Sequence, residues 1–523
     1  MAQSLCIHNA RIYGLQGLQN ATALVIEGGV IRYIGDESGL STHIFGDIEK
    51  INAGGRIVFP GFTDTHLHLT EWSRRRDQVK LGGFASLAET CAHIRDTAAD
   101  SEWLIGGGWN QNAWKEGRFP HRRDLEFLPA GTKAVLFSKD FHTAWVNDAV
   151  IDLFDFNDVL SMIRKGYVQR DADGQLNGLV REEGLHVLID PLLEALPAGI
   201  FSDPGSYFRD FYRHGITSVH TMEHCEDYER YLSLYQYEHN RGLRLGVYIY
   251  DSDREKTDQK GLRAGSGGPW LRFLGTKIFV DGALGSQTAW LKEPYESGNH
   301  VGKQQCTGDE LRRAVMHAEA RGWGISLHAL GDAAVEHVLD ILDLIGRDLR
   351  VPLRIEHAQL LNGDLIQRIA KRGIALSVNP SHLIDDKPIA NVHWGARSRY
   401  AYALHSLKLA GVRYGFGSDA PVEDIHPWKS VYAAVMRIGA DDPDPWYPEE
   451  SIRITDAINA FTRDAVLLSG VDERKGVLAP GFAGDCFICD RDVFDEPLTN
   501  WRDIHSVLTV IGGRIVYHET DRA

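Results

Sequence analysis

The chain has 523 residues, 43% hydrophobic and 24% charged, which is ordinary for a globular protein. It is too long for one compact core, because single cores stop growing at roughly 250–300 residues. A formal net charge of −16, with no basic tail or stripe, repels nucleic acid and anionic membrane, so neither is an expected partner. No apolar run approaches the ~18 residues that span a bilayer, and the first residues lack a signal-peptide pattern. A reducing cytoplasm is therefore the expected compartment.

In chain order, the first ~55 residues alternate short apolar runs with turn signals: Ser4–Ile12, Ala23–Ile26 and Val30–Ile34, then Gly54-Gly55. Eight β-rich runs follow, mostly separated by helical stretches. They are Arg56–Thr63, Gly215–Thr221, Arg244–Tyr250, Phe273–Asp281, Gly324–His328, Leu353–His357, Ile374–Asn379 and Tyr414–Asp419. Strand–helix alternation is the pattern of a parallel sheet, and eight such strands close as a barrel with the active groups at their carboxyl ends. The stretch from about 70 to 205 breaks the rhythm with Trp103, Trp109, Trp114 and Trp145 and many charges. The C-terminus returns to short strands, through Cys486–Cys489, Ser506–Val510 and Arg514–Tyr517.

The predicted fold is thus α/β, a (β/α)8 TIM barrel with a small β-sandwich formed by both termini and an insertion over the barrel mouth. The expected boundaries are 1–56 and 475–523 for the sandwich, 57–474 for the barrel, and about 70–205 for the insertion. Of six cysteines, Cys486 and Cys489 form a C-x-x-C. Residues three apart on a strand face opposite ways, so this pair is expected to be buried structure rather than a zinc or redox motif.

The chemistry gathers at the ends of the barrel runs. His66 and His68 stand two apart after the first run, so both imidazoles share a face. Lys277 lies in the fourth run, while His328, His357 and Asp419 end the fifth, sixth and eighth. A barrel would bring these six together although they span over 350 residues, and imidazole is the commonest metal ligand. Lys277 as an ammonium has no lone pair; paired with Asp281 or Asp419 it would be a plain strand-end lysine. His142, His220 and His382 lie where they could face a substrate, against the alternative of ordinary histidines. Trp109 and Trp114 could contact substrate or simply fill the insertion's core.

Phe59-Pro60-Gly61-Phe62-Thr63-Asp64-Thr65-His66-Leu67-His68 resembles the first strand of the amidohydrolase superfamily, and more narrowly of amidohydrolase family 3, the branch that includes N-substituted formamide deformylases. Lys277-Ile278-Phe279-Val280-Asp281-Gly282, His328-Ala329-Leu330-Gly331-Asp332, Arg354-Ile355-Glu356-His357-Ala358-Gln359 and Gly417-Ser418-Asp419-Ala420-Pro421-Val422 are similar to its other signatures. The resemblance covers nearly the whole chain. It implies divalent metal, with zinc expected, at one or two ions per chain. His66, His68 and Asp419 would hold one ion and His328 and His357 a second, with Lys277 carboxylated to bridge them. It implies hydrolysis of a carbon–nitrogen bond in a small amide, N-formyl or N-acyl compound, with Asp419 moving the proton.

Two other readings stand beside this one. Heterocyclic aminohydrolases of this fold carry a glutamate three residues after the fifth-strand histidine, where this chain has Gly331. A non-catalytic relative is disfavoured because every expected ligand is present. A homodimer is the default assembly.

Overall fold

The computed structural model describes residues 4–14, 17–43, 48–97, 102–138, 143–181, 184–196, 198–439, 443–470 and 474–520. The chain divides into two compact units, Met1–Trp72 with Ile200–Ala523, and Ser73–Gly199.

The larger unit holds eight parallel strands: β1 (Phe62–Leu67), β2 (Ile216–Glu223), β3 (Arg244–Tyr250), β4 (Leu271–Phe279), β5 (Gly324–Ala329), β6 (Leu353–His357), β7 (Ala375–Val378) and β8 (Tyr414–Phe416). They pair strictly in chain order, each with the next. The ring closes just beyond β8, where the Asp419 amide donates to the His66 carbonyl at 2.7 Å and the His68 amide to the Ala420 carbonyl at 2.8 Å. Backbone bonds of the closing seam therefore run through three of the predicted site residues. Gly417 is required there, because a Cβ at that position would lie 2.6 Å from the His66 nitrogen. The result is the expected (β/α)8 barrel.

Helices follow the strands for physical reasons that the sequence carries. The helix Gly308–Arg321 starts with a reciprocal capping box between Thr307 and Glu310 and stops at left-handed Gly322. Gly363–Arg372 starts on the Asn362 side chain and ends the same way at Gly373. Each turns an apolar stripe inward, with Leu311, Ala314, Val315 and Ala318 buried on the first.

The same unit contains two further sheets. One orders Val30–Gly35, Ala23–Glu27, Leu5–His8 and Glu49–Asn52. The other orders Arg514–His518, Ser506–Ile511, Cys486–Cys489, Ile57–Pro60, Arg11–Gly14 and Gly17–Leu18. Strands from both ends of the chain thus share one sheet, as expected, and Leu5, Ile7, Ile26, Val58, Ile488 and Val510 share one core. Each such buried aliphatic side chain is worth about 1.5–3 kcal/mol. One boundary differs from the sequence reading. The run Arg56–Thr63 is two elements, because Ile57–Pro60 pairs antiparallel with Cys486–Cys489 and the barrel strand begins only at Phe62. Both strands are apolar throughout, so periodicity alone could not separate them. Cys486 and Cys489 are buried and unbridged, with burial raising both thiol pKa values.

The unit Ser73–Gly199 carries its own six-stranded mixed sheet, ordered Val168–Arg170, Leu176–Arg181, Thr143–Val146, Lys133–Ser138, Trp103–Trp109 and Val79–Lys80. Trp109 and Trp114 stack at 5.8 Å between ring centroids inside its core with Trp145, and the Trp109 indole N–H donates to the Leu136 carbonyl at 2.7 Å. Both rings are spent on the packing of this unit.

Candidate metal centre

The six residues read as ligands lie at or just beyond the carboxyl ends of β1, β4, β5, β6 and β8. Nitrogen or oxygen atoms of His66, His357 and Asp419 lie within 4.8 Å of one another. Around them, His66 Nε2 and His68 Nε2 are each 3.3 Å from Asp419 Oδ1, and Lys277 Nζ is 3.3 Å from His66 Nε2. The His328 ring packs 4.4 Å from that of His357. His357 and Asp419 both adopt positive φ, 68° and 60°, where the chain leaves the strand and swings each side chain over the barrel end. Strained backbone of this kind is held only by a surrounding structure that over-determines it.

Each imidazole is oriented by a partner on its outer nitrogen. His66 Nδ1 lies 2.6 Å from Glu356 Oε2, His68 Nδ1 lies 2.7 Å from the Tyr250 hydroxyl, and His357 Nδ1 lies 2.8 Å from Asn379 Oδ1. A proton on Nδ1 leaves the lone pair on Nε2, which is the form a cation needs. His328 is turned the other way: Nε2 bonds the Gly282 carbonyl at 3.0 Å, leaving the lone pair on Nδ1. Burial lowers the His68 and His357 pKa values and takes His328 to about 3, so these rings are neutral donors at pH 7. Burial alone would raise the Asp419 pKa, but neighbouring His66 and His68 hold its carboxylate well below the usual range. Neutral imidazoles beside an ionised carboxylate form a donor set that fits a divalent cation.

Lys277 is 1% exposed, and burial lowers its pKa to about 8 against the pull of Glu356 and Asp419. Its pairing with Asp281 is not what the structure builds. Asp281 instead accepts backbone N–H bonds from Leu330, Gly331 and Trp290 at 2.9–3.0 Å, tying the loop after β5 to the segment that follows β4. Asp64 bonds the His66 and Ser418 amides at 3.1 Å each, pinning β1 to the segment after β8.

The other predicted residues fall in different places. His382 stands at the rim, with Nε2 buried, 3.7 Å from Asp419 Oδ2 and without a hydrogen bond. His220 lies deep in the barrel, where its Nδ1 accepts from Arg354 Nη1 at 2.9 Å. His142 lies outside the described residues. The sequence reading gave no role to Glu356, Arg354, Tyr250 or Asn379. Glu356 is fully buried and also accepts from Arg354 Nε at 2.6 Å and Ser326 Oγ at 2.5 Å, so its charge is balanced by guanidinium and imidazole together. The Arg354-x-Glu356 alternation within an apolar strand was a signal for this polar barrel interior. Tyr250 and Asn379 end their runs, at the functional end of the barrel.

A parallel eight-stranded barrel with histidines and an ionised carboxylate converging at its carboxyl end defines the metal-centre class of α/β barrel. The chain belongs to the amidohydrolase family, whose model matches residues 49–517. It is 27% identical to the Bacillus subtilis protein YtcJ over 98% of this chain and 99% of that one. It is 25% identical to the N-substituted formamide deformylase of Arthrobacter pascens, over 99% of each chain. Among solved structures, an uncharacterized metal-dependent hydrolase from Pyrococcus horikoshii superposes with a TM-score of 0.80 at 26% identity, over 95% of this chain and 99% of that one.

Proposed function

We propose that this protein is a metal-dependent hydrolase that cleaves the carbon–nitrogen bond of a small amide, N-formyl or N-acyl compound. The observation that carries the reading is the convergence of His66, His357 and Asp419 within 4.8 Å at the barrel's carboxyl end. The relative named as a formamide deformylase, similar over its whole length, supports the bond type.

In this reading His66, His68 and Asp419 hold one divalent ion, zinc by preference of the donor set, and His328 and His357 a second. When bound, such ions supply Lewis acidity toward the scissile carbonyl and draw the pKa of water from about 15.7 toward 7. Asp419 takes the proton of the attacking water at a carboxylate oxygen and returns it to the leaving nitrogen. His382, whose Nε2 lies 3.7 Å from Asp419 Oδ2 and makes no hydrogen bond within the protein, is free to hydrogen-bond substrate. Lys277, part neutral at physiological pH because burial has lowered its pKa to about 8, carries a nucleophilic amine that would add CO2 to form a carbamate, releasing one N–H proton to water. That anion would offer the ligand oxygens that an ammonium cannot.

The aminohydrolase alternative needs a glutamate at position 331. A Cβ there would sit 2.0 Å from the Trp290 carbonyl, so the site has no room for one. The test is a screen of N-formyl, N-acetyl and longer N-acyl amines and amino acids with zinc-loaded protein, alongside Asp419→Asn. The expected result is turnover by the wild type and a loss of about 10²–10⁴-fold in kcat in the variant, with metal content largely retained. Near-wild-type rates in the variant would sink the role given to Asp419, and turnover of no amide would sink the bond class.

A further inference from the structure

The larger unit contains a cavity of about 590 Å³ that reaches Lys277 and opens over the ends of β3 and β4. Two aromatic rings, Tyr250 and Phe279, line it beside polar Asp251, Ser252, Arg254 and Gln305. Phe279, the last residue of β4, points the same way as Lys277 two residues earlier, yet the residue stays 38% exposed. Its ring lies 6.0 Å from Tyr250 in a stacked arrangement, 5.1 Å from the His328 ring, and 5.2 Å from Lys277 Nζ. An apolar ring left partly wet beside the ligand cluster, on a cavity of small-molecule size, has the geometry of a contact surface for a ligand.

The charges around this cavity are already matched within the protein. Arg254 makes a two-point ion pair with Asp251. Glu310 accepts from the Thr307 amide and hydroxyl at 2.9 and 2.6 Å. His224 is held by Asp253 at 2.9 Å. Among the described residues lining the cavity, Arg254 is held by Asp251 and Lys277 would be anionic once carboxylated, so an anionic group placed here would have to break the Arg254–Asp251 pair to gain a partner.

We infer that the cavity walled by Tyr250 and Phe279 is the subsite for an uncharged, ring-bearing substituent next to the scissile bond, so that simple N-aryl or N-arylalkyl amides are preferred over N-acyl amino acids. The inference rests on the hydrolase reading above, and it selects among the compounds that reading admits. Phe279 is a specificity-determining residue whose ring meets the substrate's ring in an offset or edge-on contact.

The test uses the full-length, zinc-loaded protein and three matched compounds. These are N-phenethylacetamide, N-methylacetamide, which lacks the ring, and N-acetylphenylalanine, which adds only a carboxylate; the formyl series repeats the comparison. The expected kcat/KM for N-phenethylacetamide exceeds that for each of the other two by about tenfold or more. Phe279→Ala is expected to cut the aryl-to-methyl ratio by about tenfold, mainly through KM, and Phe279→Leu to cut it less. Calorimetric binding of N-phenethylacetamide to Asp419→Asn, with and without Phe279→Ala, reads the subsite without turnover. If no amide is hydrolysed but binding depends on Phe279, the bond class fails while the subsite stands. An aryl preference that survives Phe279→Ala overturns the proposal, as does a preference for N-acetylphenylalanine.

Discussion

His66 illustrates how much of a metal ligand's character comes from residues that never touch the cation. Its Nδ1 is held by Glu356, which is itself held by Arg354 and Ser326, so a single carboxylate fixes the ring's tautomer and direction. Glu356→Gln keeps the shape but removes the charge between a guanidinium and an imidazole. We expect its zinc affinity, read by titration against a metal buffer, to fall by about 10–100-fold. Unchanged affinity would show that Glu356 serves only to neutralise Arg354. Lys277 gives a second residue-scale expectation. Protein loaded with zinc in 13C-bicarbonate should show a carbamate carbon signal that is absent from Lys277→Ala. A wild-type spectrum without that signal removes the bridging role.

Helices and strands carry the site by being held at their ends. The helix Gly308–Arg321 is tied to the segment after the next helix through Glu319, which accepts from Arg347 Nη1 at 2.7 Å and Nη2 at 2.5 Å and from the Arg350 amide at 2.9 Å. Hydrogen bonding to Arg347 lowers the Glu319 pKa from 4.5 to about 2. A carboxylate whose pKa is depressed by folding contributes stability above its unfolded value, and that contribution is lost as pH falls through the folded value. Glu319→Gln should therefore lower the thermal midpoint at pH 7 by about 2 °C, with the difference fading between about pH 4.5 and 2. Arg347 is substantially exposed, which keeps the expected effect small. A difference that persists at pH 2 would assign it to packing rather than to the ion pair.

At the scale of the molecule, two units with separate cores should unfold with some independence. All six proposed ligands lie in the unit formed by Met1–Trp72 and Ile200–Ala523. A cation that binds only the folded form stabilises by mass action, by about 4 kcal/mol at a thousandfold excess over Kd. Calorimetry before and after chelation should show one transition moving down and returning with zinc, while the transition of Ser73–Gly199 stays in place. If both transitions moved equally, or neither moved, the ions would not belong to the barrel alone. No described helix is long and apolar enough to cross a membrane.

The sequence by itself determined the barrel, the small sheet shared by both termini, and the residues that gather at the strand ends. These follow from local rules: period-two alternation, helix caps, and the fact that parallel strands end on one side. Tertiary structure alone decided the rest. It split the apolar run at Gly61, because two strands of equal hydrophobicity differ only in their partners. It turned His328 opposite to the other imidazoles, placed His220 on Arg354 inside the barrel, and gave Trp109 and Trp114 to a core. It also recruited Glu356, Tyr250 and Asn379 as the groups that aim the histidines. A side chain's partner across more than a hundred residues is fixed by where the backbone closes, and no period in the sequence encodes that distance.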